Sequence, residues 1–261
     1  MDASMWVAKT GLDAQNTRMT VIANNLANVN TTGFKRQRAV FEDLLYQNVR
    51  QVGGQTTANT VAPTGLMIGT GVRMIATEKN NAQGNLIMTQ NALDLAISGD
   101  GYFQILQPDG SIAYTRDGSF KLSPTGQVVT ASGALLQPAM NIPPNAQNIT
   151  IGSDGTVSVA LVGTAAQQII GNLQLARFAN PAGLSSLGQN LLSATAASGP
   201  VQQLKPGTGG AGVLGQGSLE ASNVNVVEEM VSMIETQRAY EVNSKAIAAS
   251  DDMLKFINNN L

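Results

Sequence analysis

Gly207-Thr208-Gly209-Gly210-Ala211-Gly212 matches G-x-G-x-x-G, the glycine spacing that lets a backbone approach a pyrophosphate. That chemistry requires a strand directly before the run and a helix opening within it. Lys205-Pro206 precedes it and Val213-Leu214-Gly215-Gln216-Gly217 follows, so neither element is expected. Glu228 stands at the distance of a ribose-binding acid, but a helix-capping role explains it. Asp94, Asp100, Asp109 and Asp117 are the candidates for a carboxylate pair of the kind that hydrolyses glycosides. The last three each precede a glycine, where aspartate serves the turn itself. The chain has no histidine and no cysteine, which removes Ser-His-Asp triads, thiolate nucleophiles and cysteine zinc sites. It also lacks a G-x-S-x-G elbow, an S-x-x-K pair and a D-x-D-x-D calcium loop. The sequence assigns no catalytic, cofactor-binding or metal-ligating residue, and an enzyme is not expected.

Charge narrows the partners. Net charge is −2 and only 12% of the 261 residues are charged, which argues against a nucleic-acid binder. Lys35, Arg36 and Arg38 form the one basic cluster, read as a solvated face or as a contact for an acidic neighbour in an assembly. Met1-Asp2-Ala3-Ser4-Met5-Trp6-Val7 carries no basic stretch leading into an apolar core, so a cleaved secretory signal is not expected. No apolar run approaches the roughly 20 residues of a membrane span, and direct membrane insertion is not expected.

Two helices must carry the ends. Between Ser4 and Val29 a column of Met5, Leu12, Met19 and Leu26 repeats every seven residues. A second column, Ala8, Gln15, Ile22 and Val29, follows three residues behind it. Asn30-Thr31-Thr32-Gly33 is the predicted stop, with Gly33 able to take a left-handed cap. Toward the other end Val226, Met233, Tyr240, Ile247 and Leu254 again fall seven apart. Asn225 with Glu228 reads as a capping box, and Glu241/Lys245 and Asp251/Lys255 as i,i+4 ion pairs. This helix should reach about Asn258. Its second column, Met230, Gln237, Ser244 and Asp251, is too polar for a two-stranded coiled coil, so a bundle in which polar groups meet is expected.

Between the helices the period falls to two. Leu93, Leu95 and Ile97 alternate, and strands are predicted over Tyr102–Leu106, Ile112–Thr115, Gln127–Thr130, Thr156–Leu161 and Gln167–Ala176. Asp100-Gly101, Asp109-Gly110, Asp117-Gly118 and Asp154-Gly155 supply the positive φ of tight hairpins. Glycine-rich polar stretches at Gln51–Gly71 and Pro206–Gly217 read as linkers or extended hairpins. The predicted class is α+β. Helices at 1–30 and 226–261 pair as a coiled-coil or bundle domain, 31–75 and 205–225 form an extended connector, and 76–204 is a central antiparallel all-β domain.

Ala23-Asn24-Asn25-Leu26-Ala27-Asn28-Val29-Asn30-Thr31-Thr32-Gly33-Phe34-Lys35 resembles the N-terminal signature of flagellar rod and hook proteins. Ser222-Asn223-Val224-Asn225, then Gln237-Arg238-Ala239-Tyr240-Glu241 and Lys245, resemble the C-terminal signature. Tyr114-Thr115-Arg116-Asp117-Gly118-Ser119-Phe120 is similar to the family's β domain. Gln37 to Gln47 and the stretch to about Gly65, including a hairpin at about 46–65, look like the distal-rod type. The resemblance implies a subunit of a rigid helical tube, the drive shaft that carries torque from motor to hook and forms the export-channel wall. It implies helices as the inner wall, the β domain as the outer wall, and a connector that stiffens the rod. It also implies export by the flagellar type III apparatus without a cleaved signal, a place in the periplasm-spanning rod of the basal body, and no cofactor. Partners would be copies of the chain, proximal-rod and hook subunits, and the surrounding periplasmic and outer-membrane ring proteins. The expected polymer interface is Met5, Leu12, Met19, Ile22, Leu26, Val29, Val226, Met230, Met233, Tyr240, Ile247 and Leu254. Rival readings are a proximal-rod or hook subunit, a peptidoglycan-acting β-domain glycosidase, and a secreted adhesin or phage-like tail component.

Overall fold

A computed structural model describes residues 3–53, 55–57, 60–61, 63–162 and 167–259. The chain is α+β: an N-terminal helix, a C-terminal helix and a mostly β region between them. It divides into two compact units, one of Met1–Ala27, Gln37–Glu78 and Asn225–Leu261, the other of Asn28–Arg36 and Lys79–Val224.

The first unit holds α1 (Ala3–Ala27), β1 (Gln37–Asp43), β2 (Tyr46–Arg50), β3 (Gln55–Thr57), β4 (Thr60–Val61), β5 (Leu66–Gly69), most of β6 (Val72–Lys79) and α2 (Val226–Asn259). Helix α2 has 34 residues, about 51 Å at 1.5 Å per residue. It starts where Asn225 Oδ1 accepts the Val227 amide at 3.1 Å, with Glu228 and Glu229 in the first, electropositive turn. Of the two predicted ion pairs, Asp251–Lys255 closes at 2.6 Å; Glu241 and Lys245 form none among the described residues. Helix α1 stops at Ala27, where Asn28 accepts the Thr31 amide and hydroxyl, both at 3.1 Å. Gly33 does take the left-handed conformation, φ +67°, but six residues past the helix, so it does not cap α1. Strands β1 and β6 pair, and β2 and β5 form the antiparallel arms of a hairpin in which Tyr46 opposes Gly69 and Arg50 opposes Leu66. Arg38 pairs with Glu78 at 2.7 Å, and Arg73 pairs with Glu42.

The second unit carries β7 (Leu86–Met88), β8 (Leu95–Ser98), β9 (Phe103–Leu106), β10 (Ile112–Thr115), β11 (Lys121–Leu122), β12 (Val128–Val129), β13 (Leu135–Gln137), β14 (Ala146–Ile151), β15 (Thr156–Leu161) and β16 (Gln167–Asn172). They are followed by β17 (Leu175–Arg177), β18 (Ser185–Gly188), β19 (Leu191–Ser193), β20 (Gln202–Leu204), β21 (Val213–Gln216) and β22 (Ser218–Glu220). A seven-stranded sheet runs β11-β12-β13-β9-β10-β19-β18, a three-stranded one runs β14-β15-β16, and β17–β20, β8–β21 and β7–β22 pair in twos, all antiparallel. Leu95, Ile97, Phe103, Ile105, Phe120, Leu173 and Leu175 fill the core. The predicted alternation in β8 understates its burial: Ala96 is buried as fully as its neighbours because β8 is covered on both faces.

The Asp-Gly turns divide into two kinds. Gly101, Gly110 and Gly155 have positive φ, as expected, but Gly118 does not. A Cβ on Gly118 would lie 1.7 Å from the Leu95 carbonyl, whose own amide bonds the Gly118 carbonyl at 3.0 Å. Gly118 is therefore a close-approach glycine and not a hairpin one. The stretch 206–217 is part of this unit and no free linker: Gly207 N–H bonds the Gly212 carbonyl at 2.9 Å, and β21 follows.

Candidate functional site

Asp109 accepts the Ser111 hydroxyl at 2.6 Å and amide at 2.9 Å, and these bonds hold its carboxyl below the ordinary value. Asp117 accepts the Ser119 amide at 3.0 Å, and Asp94 the Asn91 side-chain amide at 2.9 Å. Asp100 is exposed, 4.0 Å from Arg177. These carboxylates serve turns or lie on the surface. The glycine run at 207–212 leads into a strand and not a helix, and its Gly207, Thr208, Ala211 and Gly212 amides bond within the turn or to the Asp100 carbonyl, which is not the arrangement of a phosphate cradle. A cavity in the β core, about 10 Å³ and lined by side chains such as Leu95, Val128, Leu136 and Leu173, is far too small for a substrate. Among the described residues no acidic cluster could hold a metal, and no helix is long and apolar enough to cross a membrane.

What remains is the surface of the helices. Asn25 Nδ2 donates to Glu229 Oε2 at 3.1 Å, and a Cβ on Gly11 would lie 3.1 Å from Asn243 Nδ2. Gly11 to Asn25 and Asn243 to Glu229 each span fourteen positions in opposite directions, so α1 and α2 run antiparallel. The α2 column against α1 is Glu229, Thr236 and Asn243, polar and buried or half-buried. Asn25 also accepts the Gln37 amide at 2.9 Å and donates to its carbonyl at 2.8 Å, which holds β1 to the helix. Thr10 Oγ1 accepts the Val72 amide at 3.3 Å, and Gly71 at φ +118° leaves room for it. Ser4, Val7, Gly11, Ile68 and Asn243 line part of an open groove of about 620 Å³ beside these contacts.

The predicted interface residues divide by helix. On α1 Ile22 is buried, and Met5, Leu12, Met19 and Leu26 are half-buried; Val29, also half-buried, belongs to the second unit. On α2 Met233 and Ile247 are half-buried, whereas Val226, Met230, Tyr240 and Leu254 are exposed. The family-signature residues separate similarly. Asn25 is buried, Asn28, Gly33, Phe34 and Asn223 are half-buried, and Asn24, Gln237, Arg238, Glu241 and Lys245 are exposed. Sequence reasoning missed a second stripe. Val227, Val231, Ile234 and Phe256 are 48% to 70% exposed. At about 3.6 residues per turn they fall on the side of α2 opposite Glu229, Thr236 and Asn243. The four- and three-residue steps from Val227 to Val231 to Ile234 were the available signal.

Lys35 also departs from the solvated face expected of the basic cluster. It is buried against Glu220 at 2.6 Å, and burial, opposed by that carboxylate, lowers its pKa. Only Arg38 of the cluster is exposed.

The first unit thus exposes long apolar helical faces, of the kind that mark contacts with other protein surfaces. Comparison with known proteins agrees. Residues 5–35 match the family described as flagella basal body rod protein, 96–159 the flagellar hook protein FlgE/F/G D1 domain, and 216–260 the flagellar basal body rod FlgEFG protein C-terminal. The chain is 56% identical to the flagellar basal-body rod protein FlgG of Buchnera aphidicola subsp. Schizaphis graminum, over 98% of each chain. It is 47% identical to FlgG of Borreliella burgdorferi, over 99% of this chain and 98% of the relative, and 38% identical to FlgG of Bacillus subtilis, over 97% and 96%. The chain belongs to the flagellar basal-body rod protein family.

Proposed function

We propose that this protein is a structural subunit of the flagellar distal rod, which self-assembles into a rigid helical tube and performs no catalysis. Head-to-tail contacts that do not close into a ring generate such a polymer, and each copy must then leave complementary faces open. The observation that carries the reading is the pair of apolar faces on α2: one along Val226, Met230 and Tyr240, the other along Val227, Val231 and Ile234. The terminal helices, 1–30 and 226–261, are the assembling part and line the tube in coiled-coil-type contact with neighbouring copies. The connector, including the hairpin at about 46–65, braces the wall. Copies of the chain, proximal-rod and hook subunits, the ring proteins and the type III export apparatus are its partners in the basal body.

Electron microscopy of purified protein at high concentration tests this. Straight tubes are expected, and protein that stays monomeric at every concentration would overturn it. Ile234→Asp and Tyr240→Asp, one on each face, should each abolish tubes, because a charge without a partner is expensive in a packed interface. The β unit of each variant should keep its unfolding transition.

A further inference from the structure

The second unit contains a buried group of charges, Lys35, Arg116 and Glu220. The Glu220 side chain is 0% exposed. Its Oε1 accepts Lys35 Nζ at 2.6 Å and the Gly84 amide at 2.9 Å, and its Oε2 lies 3.5 Å from Arg116 Nη1. Lys35 Nζ also donates to the Ala82 carbonyl at 2.8 Å. Asn223, three residues on from Glu220, accepts the Arg36 amide at 2.7 Å and donates to the Asn80 and Ala82 carbonyls, both at 2.9 Å. The Arg36 carbonyl accepts the Asn80 amide and the Glu220 carbonyl accepts the Gly33 amide, both at 2.8 Å.

Three segments remote in sequence, 33–36, 80–84 and 220–223, are thus joined through shared acceptors. They stand next to three of the four points where the chain crosses out of this unit, after Arg36, before Lys79 and after Val224. We propose that Lys35, Glu220, Arg116 and Asn223 form a polar lock that closes the β unit at these exits, so that it stays folded whether or not the terminal helices are ordered. Glu220 Oε1 takes both hydrogen bonds, while Oε2 and the Arg116 Nε and Nη1 face each other only as an ion pair, so losing Lys35 would leave a buried carboxylate without its strongest partner. Apolar residues of equal volume would hold the segments together but would let them slide, whereas this set of donors and acceptors fits one register. Two glycines enforce the fit: a Cβ on Gly84 would lie 2.0 Å from the Ala221 carbonyl, and one on Gly33 would lie 2.8 Å from the Arg116 backbone. The consequence for assembly rests on the proposed function, in which the terminal helices and not the β unit make the contacts between copies. The lock itself does not rest on it.

Amide exchange on the full-length monomer tests the lock. The Gly33, Arg36, Asn80 and Gly84 amides are expected to exchange as slowly as Ile105 and Tyr114 in the central sheet. If they instead exchange at the rate of α1 in the wild-type protein, the proposal fails. Asn223→Ala should speed Arg36 by about tenfold or more while leaving Ile105 unchanged. Unchanged exchange at Arg36 would overturn the proposal. Should that variant not fold, Lys35→Met supplies the same comparison at Gly84. None of these outcomes depends on whether tubes form, which the micrographs decide separately.

Discussion

Gly33 sits at φ +67° with its amide on the Glu220 carbonyl, a conformation and a spacing that together leave no room for a Cβ. Gly33→Ala is therefore expected to destabilise the β unit by about 1–3 kcal/mol, read as a lower urea midpoint with an unchanged slope. The motif Tyr114–Phe120 was legible in sequence as a family mark, and its residues have separate physical duties. Tyr114 meets Phe178 edge to face at 4.8 Å, and Phe120 meets Phe103 at 5.1 Å. Thr115 Oγ1 donates to the Asn190 carbonyl at 2.8 Å and accepts the Asp117 amide at 3.0 Å. Arg116 lies over the Tyr102 ring at 5.5 Å. The role of Lys35 was not legible, because a lysine beside two arginines looks solvated until the distant Glu220 is known to meet it.

Helices α1 and α2 were found from their periodicity, yet the column packed between them was not. A search for apolar repeats selects Val226, Met233 and Tyr240, while α1 covers Glu229, Thr236 and Asn243. The polar column was expected at Met230, Gln237 and Ser244, whereas the column that faces α1 is one residue earlier, with Asn25 on Glu229 and Gly11 against Asn243. Polar rungs of this kind fix register at some cost in stability. Asn25 is the rung with the most bonds, one to Glu229 and one to each backbone group of Gln37. Asn25→Ala should cost the helical unit about 2–3 kcal/mol, seen as earlier loss of helical circular dichroism on heating, with the β transition unmoved. The β strands were placed well wherever alternation was regular, as in Ile112–Thr115 and Thr156–Leu161. Strands as short as β11 and β12, two residues each, carry too few positions for a period to show.

At the scale of the molecule the chain devotes one part to closing on itself and another to meeting its neighbours. In the proposed rod, residues 51–64 belong to the second task. The hairpin arms that carry them expose Tyr46, Val49, Met67 and Ile68, while several residues at the tip lie outside the described ones. Deleting residues 51–64 is expected to leave tubes intact but to shorten their persistence length in micrographs; straight tubes indistinguishable from the wild type would remove the stiffening role. The overall plan, helix at each end and β between, was legible from where the period changes. The division of Asn28–Arg36 from its flanking segments was not, because nothing in so short a stretch announces that its partners lie some 185 positions away.

The opposed directions of α1 and α2 bear on how the subunit could be unwound. The beginning of the first helix and the end of the second occupy the same end of the pair, so traction on either peels the contact one rung after another, like a zip. A translocating machine that grips the leading helix would never have to break the whole seam at once.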